Sequence, residues 1–392
     1  MLSVLSLARK SLATLFLILS GLILIACVPV GPGTGAGPKI DPSAPIPVAL
    51  LVPGGSGSAG DETLARSLQN AARLAASDLG NVKIDLRVYN TGGQPGQAQA
   101  MAVKAADEGA KIILGPVFAQ EANAVGVAMA GRGINVLSFS NNTDIAGGNV
   151  FVLGPTFANT ANRLSTYAVG QGKRRIMVVY DQNTAGQIGK AAIEQGVSRA
   201  GGSVVASQGY EFSQNGITAA APGLAGTAKS TGADAVFMTA DSAGALPLLT
   251  QLLRDNGLNG EVTRFIGLTR WDVPAATLAL PGVQGGWFAL PDPALYQQFQ
   301  SRYQAAYGEP PHPIAGLAYD GVAAIGALAK QGKSNALTGA ALTQGSGFVG
   351  VNGIFRLRPD GSNERGLAVA QIRNNQVIVI DPAPRSFAGA GF

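Results

Sequence analysis

Pro47-Val-Ala-Leu-Leu-Val52 is an unbroken apolar run entered through a proline and left through Pro53-Gly54-Gly55. A run this short, bounded by turn residues, is the mark of a parallel strand buried on both faces. A Gly/Ser loop follows. Leu64, Leu68, Ala71, Ala72, Ala75 and Leu79 then recur at helical spacing and put one apolar stripe on a helix. The same pairing repeats down the chain: Val82–Tyr89 with Gln97–Gly109, Lys111–Leu114 with Ala119–Arg132, then Ile134–Ser138, a loop and Val150–Leu153. A second series runs Arg175–Tyr180 with Gly186–Ala200, Ser203–Gly209 with Ile217–Thr231, Ala233–Met238 with Gly244–Asn256, then Arg264–Gly267. Strands alternating with helices at this spacing predict parallel sheets covered on both faces. Two series predict two doubly wound α/β lobes.

The tail departs from this rhythm. Gln284–Leu290 is strand-like, Pro293–Tyr307 and Ile314–Gln331 are helical, and Phe348 to Ile380 is rich in strands. Asn374-Asn375, between Leu367–Arg373 and Gln376–Ile380, predicts a tight hairpin turn. No short-period repeat is present.

Composition narrows the chemistry. Of 392 residues, 46% are apolar and 13% charged, which supplies a core and too little charge for a disordered polyelectrolyte. A single Cys excludes an intrachain disulfide and multi-cysteine metal centres, and a single His excludes paired-histidine metal motifs. No cofactor and no metal are expected. His312 stands in Pro310-Pro-His-Pro313 before a helix and reads as a surface or hinge residue, with no G-x-S-x-G motif to accompany it. Gly55-Ser-Gly-Ser-Ala-Gly60 fits G-x-G-x-x-G, yet Tyr89-Asn90 stand where a dinucleotide site wants an acid. The loop reads instead as a flexible segment whose N–H groups line a cleft. No catalytic residue is assigned, and the chain is not expected to be an enzyme.

The first 26 residues hold Arg9, Lys10, no acid and the apolar run Ser11 to Ala26, the pattern of a secretory signal. A membrane-spanning helix wants about 20 apolar residues. Without the signal, 26 basic face 23 acidic residues, a net charge of +3. Lys173-Arg174-Arg175 is the longest basic run, so nucleic acid is not an expected partner. Val28 to Pro47 holds six prolines and four glycines and predicts a partly stiff tether. Leu24-Ile25-Ala26-Cys27 resembles a bacterial lipobox. That resemblance implies a signal peptide over residues 1–26, acylation of Cys27 and a tether over residues 27–46. Several acyl chains at about 0.8 kcal/mol per buried methylene hold a protein on a membrane, where one chain alone is marginal. Val28 in place of Asp implies sorting to the outer membrane, as a lipoprotein facing the periplasm.

The exported two-lobed body resembles the type I periplasmic binding proteins, best known for members that bind leucine, isoleucine and valine. The residues that carry this are Val48-Ala-Leu-Leu-Val-Pro-Gly54, Ile112-Ile-Leu-Gly-Pro116, Val136-Leu-Ser-Phe-Ser-Asn141, Ile176-Met-Val-Val-Tyr-Asp181 and Asp234-Ala-Val-Phe237, in this order over residues 47–383. The resemblance implies three chain crossings between lobes, near Gly154–Phe157, Pro281–Gly285 and Gly345–Gly350. Residues 47–156 with 284–346 would then form lobe 1, and 157–283 with 347–385 lobe 2. It also implies binding of an amino-acid-like or other small polar ligand by hinge closure, delivered to an ABC permease.

In open parallel sheets ligands bind beyond the carboxyl ends of the strands. That rule selects the loop Ser138, Phe139, Ser140, Asn141, Asn142 as the best candidate, with Gln120 from the same lobe. Asp181, Asp241, Thr269 and Arg270 face them from the second, and Trp271 beside Arg270 offers a stacking face. Amino-acid binders of this family place a small hydroxyl residue at Ala119-Gln120, an aromatic at Ala185 and a carboxylate near Thr269, so this chain departs from them at all three. Gly115-Pro-Val-Phe118 and Gly147-Gly-Asn-Val-Phe-Val-Leu-Gly154, with the lipobox, also resemble outer-membrane lipoproteins that activate peptidoglycan synthases. On that alternative the fold docks onto a penicillin-binding protein.

Overall fold

The computed structural model describes residues 37–387, so the expected signal, Cys27 and the first part of the tether lie outside the described residues. β1 (Ile46–Val52) runs parallel to β2 (Ile84–Asn90) on one side and β3 (Ile112–Leu114) on the other. Val48, Leu50 and Val52 enter the core on one face of the sheet, and Ala49 and Leu51 on the other. This is the period-two alternation of a strand, here apolar in both directions because both faces are covered. β4 (Val136–Ser138) and β5 (Val150–Val152) complete an all-parallel sheet of order β2-β1-β3-β4-β5.

α1 (Ala59–Ser77) covers one face through Leu64, Leu68, Ala71, Ala72 and Ala75, the stripe legible in the sequence, and Ser58 caps it by accepting from the Asp61 N–H. α2 (Pro95–Asp107) and α3 (Ala119–Ala130) cover the other face.

The second sheet holds β6 (Arg175–Asp181), β7 (Ser203–Tyr210), β8 (Ala235–Met238), β9 (Arg264–Gly267) and β10 (Trp287–Leu290). α4 (Phe157–Gly170) and α5 (Thr184–Arg199) lie on one face, α6 (Gln214–Ser230) and α7 (Leu246–Asp255) on the other. α4 has no counterpart in the sequence expectations. Its Asn-, Ser- and Thr-rich sequence is weak in helix propensity, and its burial of Ala161, Leu164 and Ala168 compensates. β14 (Ala368–Arg373) and β15 (Gln376–Asp381) return antiparallel beyond β10, which makes this sheet mixed at one edge. Asn374 and Asn375 join them with φ of 50° and 60°, the left-handed pair that a type I′ hairpin demands.

α8 (Pro293–Tyr307), α9 (Gly316–Ala329) and α10 (Gly339–Leu342) return to the first lobe, as does an antiparallel sheet of β11 (Phe348–Gly350), β12 (Gly353–Leu357) and β13 (Asn363–Arg365). Phe299, Tyr303, Leu317, Ile325 and Phe355 share one apolar cluster with β1. The chain therefore passes between sheets at 153–156, 291–292 and 366–367. The first passage follows β5. The second and third lie further along: Trp287 and Phe288 pair with Ile266 and Gly267 of β9, and Phe348, Phe355 and Leu357 pack into the first lobe. Part of the expected tether is also fastened down. Ile40 is buried in the first lobe and donates its N–H to the Ser334 carbonyl at 2.9 Å.

Candidate functional site

The carboxyl ends of both sheets carry the loops that the strand rule selects, and their polar groups are largely engaged already. In the glycine-rich loop after β1, the Gly55 N–H donates to Glu62 at 2.6 Å and Ser56 donates to Asp61 at 2.8 Å. Two carboxylates thus occupy the helix N-terminus where a phosphate would sit, which argues against a dinucleotide. In the loop after β4, Ser138 donates to the Pro116 carbonyl at 3.0 Å and accepts from the Ser140 N–H, Ser140 accepts from the Asn142 N–H, and Asn142 accepts from the Asp144 N–H. The hydroxyls form a chain of local turns. Phe139 is core, while Asn141, Asn142 and Gln120 are exposed.

On the second sheet, Asp181 is buried and accepts from the Tyr210 hydroxyl and from Thr239 at 2.9 Å. Burial, then the Asp181 carboxylate, push the Tyr210 phenol well above its usual pKa. Asp241 is exposed, and its carbonyl takes the Leu246 N–H at the start of α7. Trp271 offers no stacking face. It is fully buried over Gly267 and Gly286, where added Cβ atoms would lie 2.1 and 2.2 Å from the indole. The glycines are there because the ring needs the room, which a single sequence does not reveal.

Thr269 and Arg270 are the expected residues that line a cavity, of ≈ 310 Å³, at the crossings. Leu268, Thr269 and Arg270 come from the loop after β9, Pro155 and Phe157 from the first crossing, and Ile314 and Leu317 from the start of α9. The walls are mostly apolar side chains. Arg270 is bonded to Asp272 through Nε and one Nη, which leaves its other Nη free of that pair. Among the described residues there is no group of three or more metal-ligating side chains, and no helix is long and apolar enough to cross a membrane.

Sequence reasoning gave no sign of the floor beneath this cavity. Arg365 of β13 is buried and donates from Nε to the Leu153 carbonyl at 2.9 Å and from Nη1 to Asp320 of α9 at 3.2 Å. Asp320 also accepts from the Val351 N–H at 2.8 Å and the Asn352 amide at 3.1 Å. Burial pushes Asp320 up and Arg365 down, and each opposes that shift in the other. Asn363 adds amide bonds to the Val152 and Gly154 carbonyls, 2.7 and 2.9 Å long. These partners lie 31 to 212 positions apart in the chain, so no local pattern announces them.

The fold recurs among solved structures. A protein from Rhodospirillum rubrum described as a branched-chain amino acid ABC transporter is 19% identical over 86% of this chain and 100% of its own, with a TM-score of 0.73. An ABC transporter substrate-binding protein from Desulfitobacterium hafniense, in complex with Leu, is 18% identical over 86% and 100%, with a TM-score of 0.63. A solute-binding protein of an ABC transporter from R. palustris, in complex with benzoate, is 19% identical over 89% and 99%, with a TM-score of 0.57. At these identities the likeness is one of fold. No curated protein sequence matches the chain. The model of the periplasmic binding protein family matches residues 45–376, which take in both large sheets, and on that match the chain belongs to this family, in the type I form that the leucine binders share.

Proposed function

We propose that this chain is the solute receptor of an ABC importer, and that its ligand is a small molecule with an apolar body and one carboxylate. The observation that carries the reading is the ≈ 310 Å³ cavity at the crossings, with walls from both lobes and Arg270 at its edge. A pocket of this size suits a small ligand, and a few placed polar groups in an apolar wall fix its orientation. A guanidinium is the natural partner of a carboxylate. Walls drawn from two lobes let ligand contacts favour the closed state, which is how a hinge is made to respond to binding. The leucine and benzoate held by two structures of the same fold both pair an apolar body with a carboxylate. Of the residues selected from sequence, Thr269 and Arg270 are central to this proposal. Binding and release without chemical change accords with the family.

Calorimetry against leucine, isoleucine, valine and benzoate tests the reading. Micromolar binding by one of them, weakened about tenfold or more in Arg270→Ala, supports it, since a charged hydrogen bond is worth about 1.5–3 kcal/mol. Heat from none of the four sinks it. The lipid anchor at Cys27 and outer-membrane sorting rest on the lipobox and Val28 alone. Acyl labelling that vanishes in Cys27→Ser would support the anchor. Docking to a penicillin-binding protein remains the rival, and capture of such a synthase together with silence in calorimetry would favour it.

A further inference from the structure

A second cavity, ≈ 470 Å³, lies on the other side of the start of α4. Phe157 and Thr160 face the first cavity, whereas Ala158, Asn159, Asn162 and Arg163 face the second. At 3.6 residues per turn these are opposite faces of one helix. Arg365 and Thr156 reach both. The second cavity is closed by Gln195 and Arg199 at the end of α5 and by Arg358, Asp360 and Ser362 around the turn between β12 and β13, with Thr143 from the first lobe.

Its charges are unevenly paired. Arg163 is held by Asp381 at 2.7 Å, Arg358 by Glu364 and Arg365 by Asp320. Among the described residues, that leaves one cation and one anion of the wall outside any ion pair. Arg199 has a single 3.4 Å bond, to the Asn162 amide oxygen. Asp360 accepts twice from Ser362, at 3.0 and 2.6 Å, both times through Oδ1. Partial burial works against its charge, but the Ser362 bonds and Arg358 outweigh it and hold the carboxyl below its usual range. The two groups stand on different walls, one on a second-lobe helix and one on the three-stranded sheet, and do not bond to each other. Between them the lining is amide and hydroxyl: Asn159, Asn162, Gln195, Thr143 and Ser362.

We propose that this cavity is a second binding site, separate from the one beside Arg270, and that it takes a small polar zwitterion. The carboxylate would meet Arg199 and the ammonium would meet Asp360, with a polar body among the amides. Opposite charges fixed apart, each short of a partner, complement a molecule that carries both charges at a matching separation. Because its walls come from both lobes, an occupant would bias the hinge, and the two sites would influence each other reciprocally.

L-Glutamine is the probe, titrated by calorimetry into the full chain and into three variants. The proposal expects saturable binding that weakens about tenfold or more in Arg199→Ala and in Asp360→Asn and is unchanged in Arg270→Ala. Arg199 and Asp360 are exposed, so both variants should melt like the parent, which circular dichroism checks. Glutarate, which lacks the ammonium, should bind at least tenfold more weakly. No saturable heat with glutamine at millimolar concentration overturns the proposal. So does loss in Arg270→Ala with retention in Arg199→Ala, or equal binding of glutarate.

Discussion

Asp320→Ala removes the anionic half of an ion pair whose side chains are 0% and 3% exposed. The Arg365 guanidinium then stays buried with the Leu153 carbonyl as its remaining hydrogen-bond partner and the Phe355 ring beneath it, and the Val351 N–H and the Asn352 amide each lose an acceptor. Breaking a buried pair in this way costs about 3–5 kcal/mol, because the surviving charge is left without a counterion. Each orphaned donor adds about 1 kcal/mol. A loss of about 5–7 kcal/mol is a large share of the 5–15 kcal/mol typical of a folded protein. Urea denaturation should therefore show a midpoint lower by about 1 M or more. Far-UV circular dichroism is the assay of choice, because Trp271 and Trp287 both sit in the second lobe and their fluorescence reports on it alone. The double variant Asp320→Leu with Arg365→Met is the control: with neither charge left to strand, it should recover at least about 2 kcal/mol of the loss. A cost below about 1 kcal/mol for Asp320→Ala, or a double variant worse than the single one, would show that the pair is hydrated and refute the reasoning.

Three further outcomes are expected. Leu50→Ala, at a fully buried position in the middle of β1, should cost about 2–5 kcal/mol in urea or thermal melts, with the exposed Val127→Ala as a near-neutral control. Gly267→Ala would press a methyl into the Trp271 indole, so it should displace the ring, shift its fluorescence to the red and lower stability by about 1–3 kcal/mol. Glu121 is buried with no hydrogen-bond partner for either carboxylate oxygen, and burial raises its pKa despite the nearby Thr91 hydroxyl and Phe118 main chain. A carboxyl whose pKa is raised by folding holds its proton more tightly when folded. Its ionisation costs stability at neutral pH, and the cost fades as pH falls through the raised value toward the unfolded one. Glu121→Gln should accordingly be more stable than the parent at pH 7.5, by a margin that shrinks toward pH 4.5, and a margin constant with pH would count against burial as the cause.

The lobes were legible in the sequence because each of their strands announces itself locally. Pro47 to Val52 has neighbours that turn, a length that suits a strand and apolar residues on both faces, and all three can be read without knowing what it packs against. The same holds for the stripe on α1 and for Asn374-Asn375. What failed was long-range. α4 hides behind Asn, Ser and Thr, because its stability comes from packing on α5 and not from propensity. The second and third crossings lie later than expected, since a pairing such as Trp287 with Ile266 decides which sheet owns a strand, and pairings between distant segments leave no trace in either. The loops beyond the carboxyl ends of the strands are polar, as their sequences say. Whether a polar side chain faces a cleft or caps its own turn depends on a rotamer, and for Ser138, Ser140 and Asn142 the turn takes it. Trp271 neighbours Arg270 in the sequence and so suggests a stacking face, yet Gly267 at the end of β9 and Gly286 just before β10 open a slot that swallows it.

Ile40 anchors the entering chain to the first lobe, by its side chain in that lobe's core and its N–H on Ser334. A force applied upstream of residue 37 is therefore delivered to one half of the molecule. On the closure proposed above, the first lobe would act as the mounting plate and the second as the moving jaw, with the three crossings between them as the bearing. A restraint on the N-terminal segment would then leave the swing of the second lobe free, and a partner that senses the proposed closure would have most to read from the lobe that moves.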